Sequence, residues 1–172
     1  KALSDTVGIP VFLQEISGAV NGALLRQMAE ECQHLRYAKV ESAPPEEKVR
    51  DAVEHTAEWV TVFGGASGTR LIEELRRGSQ GTMPWPSLPH AFVQVWDCWQ
   101  AGAEEQARQI WEQQIHPVIR LGGLVHKEIL YRQGVIETSR FRSPAPIPPL
   151  DDIAQREFDQ VCERLGIGGN GD

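Results

Sequence analysis

Apolar residues come first in short runs and then at helical spacing, with the change near the middle of the chain. Ile9 to Leu13 (IPVFL) is a short apolar run behind Gly8 and reads as a buried strand. After Ser17-Gly18, residues Leu24, Leu25, Met28 and Cys32 fall at helical spacing and predict an amphipathic helix of about three turns. Tyr37 to Val40 predicts a second strand, entered from Leu35-Arg36. Pro44-Pro45-Glu46-Glu47 then starts a helix, because proline and acids suit the free N–H groups of a first turn. Val49, Val53 and Ala57 mark its apolar side. Val60 to Phe63 predicts a third strand, ended by Gly64-Gly65. Ser67 is the expected cap of a helix carrying Leu71, Ile72 and Leu75. Gly78 and Gly81 bracket a turn into a fourth, very short strand around Thr82 and Met83.

From Ser87 the pattern is helical. Phe92, Val95, Trp96 and Trp99 form one face, Ala107, Ile110, Trp111 and Ile115 a second, and a third helix is predicted from about Leu121 to Tyr131. Ser143 to Pro149 (SPAPIPP) is too proline-rich for a helix. Ile153, Phe158, Val161 and Leu165 predict a last amphipathic helix, and Gly166 to Asp172 a frayed tail. Short strands alternating with helices predict a parallel α/β sheet of right-handed βαβ units. Four strands do not close a barrel, which needs eight and ~250 residues. The pattern fits a small open sheet or half of a barrel, followed by a helical extension.

Composition narrows the chemistry. The chain has 172 residues, 41% apolar and 24% charged, as expected of a globular protein with one real core. The net charge of -7, with no basic block, argues against nucleic acid or an anionic membrane as partner. Three scattered cysteines, Cys32, Cys98 and Cys162, suggest neither a disulfide framework nor a zinc site and make a reducing cytoplasm the default. The five histidines show no metal spacing, so no metal is expected. Nothing reads as a signal peptide or membrane span, and the opening at Lys1 without Met suggests a processed or excised piece.

Lys39 is the sharpest chemical feature. It stands inside an apolar strand, Tyr37-Ala38-Lys39-Val40, so it is either an edge-strand lysine with its head in water or an enclosed amine able to attack a carbonyl carbon. Glu41, two residues on, shares its face and could hold the amine or move protons for it. Ser42 starts the following loop and could touch substrate or merely turn the chain. Gln14 and Glu15 end the first strand, where a barrel would line its active site. Backbone N–H groups after Gly64-Gly65 could hold an anion.

In order, IPVFLQ, YAKVE, VFGG, GSQGTM, HKEILYRQGVI and RFRSPAPIPPL resemble the dihydrodipicolinate synthase/N-acetylneuraminate lyase family. The combination of FLQE with KVE looks most like its L-2-keto-3-deoxyarabonate dehydratase branch. The resemblance implies the C-terminal half of a TIM (β/α)8 barrel. Residues 1–86 would supply the last four strand units, and 87–172 a helical region including the final barrel helix. It implies Lys39 as the Schiff-base lysine, attacking the C2 ketone of a 2-oxo acid, with Glu41 as proton carrier. Gln14, Ser42, Gly65 and Met83 would line the substrate. Gln14 stands where better-known members carry a Tyr, which favours dehydration of a 2-keto-3-deoxy sugar acid over aldol chemistry. The alternatives are an aldolase of the same family and a non-catalytic half-barrel module that pairs through its open edges. The implied protein needs no cofactor, acts on a small 2-oxo acid and assembles as a homo-oligomer when whole. The early-strand loop that holds the substrate carboxylate in this family is not in the chain.

Overall fold

A strand puts alternate residues on opposite faces, so a sheet covered on one side should bury every second residue. The computed structural model describes residues 1–56, 58–143 and 147–168. In it, β1 (Val11–Glu15), β2 (Leu35–Val40) and β3 (Thr61–Phe63) pair in parallel in the order β1-β2-β3. Ala57, residues 144–146 of the proline stretch and the tail beyond Gly168 lie outside the described residues. The chain packs as two units, Lys1–Pro84 and Trp85–Asp172.

In the first unit, α2 (Gly22–Glu31) and α3 (Pro45–Thr56) cover one sheet face. Ala38, Val40 and Val62 are buried there with Leu25 and Ala29 of α2 and Val49 and Ala52 of α3. Asn21 caps α2, its side chain accepting from the Leu24 N–H at 2.9 Å. The other face carries Phe12, Tyr37 and Phe63, whose rings lie 5.0 to 6.4 Å apart. Gln14 and Lys39 follow one step further along the same face, in register with each other.

Several elements differ from the sequence reading, each for a backbone reason. The first strand starts at Val11 rather than Ile9, because Pro10 has no N–H to donate; the Val11 N–H makes the first bond, to His34 O at 2.6 Å. It is half-buried, with Ile9 and Phe12 exposed, not fully buried as expected. The third strand starts at Thr61 because the Val60 N–H is still committed to Thr56 O at 2.9 Å. The fourth strand is reduced to a single bridge, Gly64 to Thr82, with Gly81 at φ 135 before it and Pro84 after it. Ser67 does not cap the next helix. It sits at φ 62 in a tight turn, Ala66–Gly68, and α4 (Leu71–Leu75) begins behind Arg70 with no side-chain cap. A short α1 (Ala2–Val7), absent from the sequence reading, buries Ser4, whose hydroxyl accepts from the His34 N–H.

The second unit holds α5 (Pro89–Gln100), α6 (Glu104–Ile110), α7 (His116–Ile119), α8 (Val125–Arg132) and α9 (Asp152–Arg164). Between α6 and α7 the helix widens into a π turn, Trp111–Ile115, just before Pro117. A proline lacks the N–H and its ring crowds the carbonyl four residues back, and widening the turn relieves both. The expected helix from Leu121 is shortened to α8, because Gly122 at φ 83 turns the chain. In α9, Phe158, Val161 and Cys162 are buried, whereas Ile153 is exposed, contrary to the expected face. Arg132 lies 4.6 Å over the Phe158 ring and bonds Asp159 at 2.7 Å, joining α8 to α9. No helix among the described residues is long and apolar enough to cross a membrane.

His126 is buried in α8, with Nδ1 2.7 Å from Ser87 Oγ and its ring stacked on Trp85 at 4.9 Å. Burial pushes its pKa from 6.5 down to about 4. The folded form therefore keeps His126 neutral while the unfolded form takes up a proton, so stability is whole above pH 6.5 and is lost as the pH falls toward about 4. His126→Phe should flatten this acid limb in denaturant titrations at stepped pH.

Candidate active site

The parallel register brings the C-terminal ends of β1, β2 and β3 to one edge of the sheet. In open α/β sheets and barrels this is the edge where ligands bind. Period 2 places Lys39 and Glu41 on the same face, and Gln14 pairs with Lys39 across the ladder. Lys39 Nζ lies 3.0 Å from Glu41 Oε1, the two side chains 17% and 18% exposed. The Gln14 amide donates to Glu41 Oε2 at 2.6 Å. The Ala66 N–H, beyond β3, donates to Glu41 Oε1 at 3.1 Å. One carboxylate thus gathers donors from the ends of all three strands.

An isolated exposed ion pair contributes less than about 1 kcal/mol and would not by itself fix two long side chains. The added donors do that here. Burial pushes the Glu41 carboxyl up, but the Gln14 amide, the Lys39 ammonium and the Ala66 N–H outweigh it and hold it below the usual 4.5. Glu41 is therefore ionised at neutral pH, as a proton acceptor must be.

Gly65 is required by this arrangement. A Cβ there would fall 2.2 Å from Glu41 Cγ, so any larger residue displaces the carboxylate. The sequence-predicted anion site after Gly64-Gly65 is occupied by the chain's own Glu41. Ser42 is buried and donates its hydroxyl to Glu15, whose carboxylate also accepts the Ser17 N–H at 3.0 Å and the Gly18 N–H. This ties the loops after β1 and β2 together behind Lys39. The Glu41 N–H adds a bond to Glu15 O at 2.9 Å. Met83 stands exposed one residue past the Gly64–Thr82 bridge, outside the hydrogen-bonded cluster.

The structure thus joins Gln14, Lys39, Glu41 and Gly65, puts Ser42 in the layer behind them, and leaves Met83 apart. Sequence reasoning missed Glu74, a fully buried carboxyl against Gly64. Its signal is its place between Leu71 and Leu75 on the apolar arc of α4. Among the described residues, no group of three or more His, Cys, Asp or Glu is placed to hold a metal ion.

Because the Gln14 amide is the first of the groups that hold Glu41 ionised, Gln14→Leu should raise the Glu41 pKa toward 4.5. A carboxyl ¹³C NMR titration reads this directly. An unchanged midpoint would mean that the amide does not hold Glu41 in solution.

No family model matches the chain. Among curated proteins it is similar to L-2-keto-3-deoxyarabonate dehydratase from Azospirillum brasilense, at 27% identity over 170 residues. That match takes in 95% of the chain and 55% of the relative, so the chain spans about half the relative's length. Among solved structures it is similar to dihydrodipicolinate synthase from Rhodopseudomonas palustris, with a TM-score of 0.81 at 24% identity over 92% of the chain and 56% of that protein. The enzyme of the same name from Aquifex aeolicus gives a TM-score of 0.85 at 17% identity over 99% of the chain and 60% of that protein. At these identities the structural matches establish the fold alone. The sequence comparison bears out the chain's resemblance to L-2-keto-3-deoxyarabonate dehydratase, and the structural ones bear out a dihydrodipicolinate synthase-like fold.

Proposed function

We propose that this chain carries the C-terminal half of a (β/α)8 lyase that forms a Schiff base between Lys39 and a 2-oxo acid, and that the reaction is dehydration of a 2-keto-3-deoxy sugar acid. The observation that carries the reading is the Lys39 Nζ to Glu41 Oε1 contact at 3.0 Å, with Gln14 on the second oxygen, at the C-terminal edge of a parallel sheet. In this reading residues 1–86 supply the last four strand units and 87–172 the helical region. The groups that bind the substrate carboxylate come from elsewhere in the whole protein. The substrate is a small 2-oxo acid, and the whole enzyme is a homo-oligomer in the cytoplasm.

Lys39 must give up a proton before its nitrogen can attack the C2 carbonyl, and Glu41 is within reach to take it. Attack and loss of water leave a protonated imine. Glu41, again ionised, removes a proton from C3, and the C3–H electrons move into the imine to give an enamine. The enamine electrons then expel the C4 hydroxyl, which takes the proton from Glu41 and leaves as water. Hydrolysis of the remaining imine frees the product and Lys39. Gln14 cannot act as an acid at neutral pH, and its amide is committed to Glu41, so the proton traffic falls to the carboxylate. Gln14 and Gly65 shape the substrate side of the cluster, and Ser42 braces it from behind through Glu15.

Borohydride added with pyruvate should fix one reduced pyruvate on the protein, read as a mass gain located at Lys39. Lys39→Ala should abolish the adduct, and an adduct of equal yield on that variant would sink the assignment. Glu41→Gln should still form the adduct while lowering dehydration by about 10²- to 10⁴-fold. Release of pyruvate with an aldehyde from a 2-keto-3-deoxy sugar acid would replace dehydration by aldol cleavage.

A further inference from the structure

Glu74 lies on the buried arc of α4 and is 0% exposed, and among the described residues both its carboxyl oxygens lack a hydrogen-bond partner. A Cβ on Gly64 would fall 1.8 Å from Glu74 Oε2, just as one on Gly65 would strike Glu41. The Gly64-Gly65 dipeptide is therefore held between two carboxyls, one sealed behind it and one facing Lys39. The surrounding backbone is tightly bonded. The Gly64 N–H reaches Ser79 Oγ at 3.0 Å and Gly81 O at 2.9 Å, and the Ser79 N–H donates to Glu74 O at 3.1 Å.

An ionised carboxyl without donors is strongly disfavoured in such a place, whereas a neutral carboxylic acid of the same shape is tolerated. The charges around it act in the same direction. Burial first, then Glu46 on α3 and Glu73 on its own helix, push the Glu74 pKa up to about 8; Glu41 beyond β2 adds to this, and Arg70 opposes it. Arg70 is itself bound to Glu46 at 2.9 Å, with Arg77 also acting on that carboxylate.

We propose that Glu74 is a positioning residue of the Lys39–Glu41 site: as a neutral acid it fills the space behind Gly64 and fixes the turn whose Gly65 surface and Ala66 N–H hold Glu41. The inference deepens the reading of Lys39 as the imine-forming residue and rests on it. Ionised Glu74 would face Glu41, Glu46 and Glu73 and push the turn outward. The geometry is therefore kept below about pH 8 and lost above it.

Two variants separate shape from charge. Glu74→Gln keeps the shape and is neutral at every pH; Glu74→Ala leaves a void. With pyruvate and cyanoborohydride, Glu74→Gln should trap at the wild-type rate at neutral pH and outpace wild type increasingly above about pH 8. Glu74→Ala should trap about tenfold more slowly at neutral pH, the scale expected of coupled neighbours. A Gln variant that follows wild type at every pH, or an Ala variant that traps as fast, overturns the proposal. If wild type itself fails to trap, the Lys39 reading fails, and Glu74 is judged by the Glu41 titration in ¹³C NMR. There Glu74→Ala should bring Glu41 up toward 4.5 while Glu74→Gln leaves it lowered, and the same midpoint in all three proteins refutes the positioning role.

Discussion

Glu41 holds the C-terminal edge of the sheet together. Its carboxylate accepts from Lys39, from Gln14 and from the Ala66 N–H, so one side chain ties the ends of β2, β1 and β3. The bonds form only because the strands are parallel and in register, which puts Gln14 beside Lys39 and Lys39 beside Phe63. A shift of one residue in either ladder would move Gln14 or the turn after β3 out of reach of Glu41, leaving the carboxylate with Lys39 but without its cross-strand donors. The opposite face prevents that shift, because Ala38, Val40 and Val62 are locked against α2 and α3. Core packing on one side of the sheet thus sets the chemistry on the other.

The glycine pair after β3 is the second constraint. Gly65 gives Glu41 the room of a missing side chain, and Gly64 does the same for Glu74. A short strand ending in two glycines usually signals only a turn. Here the two positions face opposite ways, and each is filled by a carboxyl from another element. Stability is given up at this point, since a buried acid without partners contributes nothing favourable by its polar atoms. Local sacrifices of this kind concentrate at functional sites.

Much of this was legible in advance. The period-2 run Tyr37-Ala38-Lys39-Val40 put Lys39 and Glu41 on one face, and the proline and acids of Pro45-Glu46-Glu47 started α3 where they should. The misreadings share a cause. The extra residues of the first strand, the full fourth strand and the Ser67 cap were inferred from side-chain type. Each was decided by which backbone N–H was free: Pro10 has none, Gly81 and Ala66-Ser67 take positive φ, and Pro84 ends the ladder. The π turn before Pro117 and the break at Gly122 are the same effect in the second unit.

By itself the sequence determined the alternation of strands and helices, the face shared by Lys39 and Glu41, and the ordered set of motifs that marks the resemblance. These follow from local periodicity and residue chemistry, which need no knowledge of distant contacts. Only the tertiary structure decided that Gln14 bonds Glu41 across 27 residues, that Ser42 serves Glu15, and that Glu74 is sealed behind Gly64. Those contacts depend on strand register and on the space left where a side chain is missing, and neither is written at any single position of the chain.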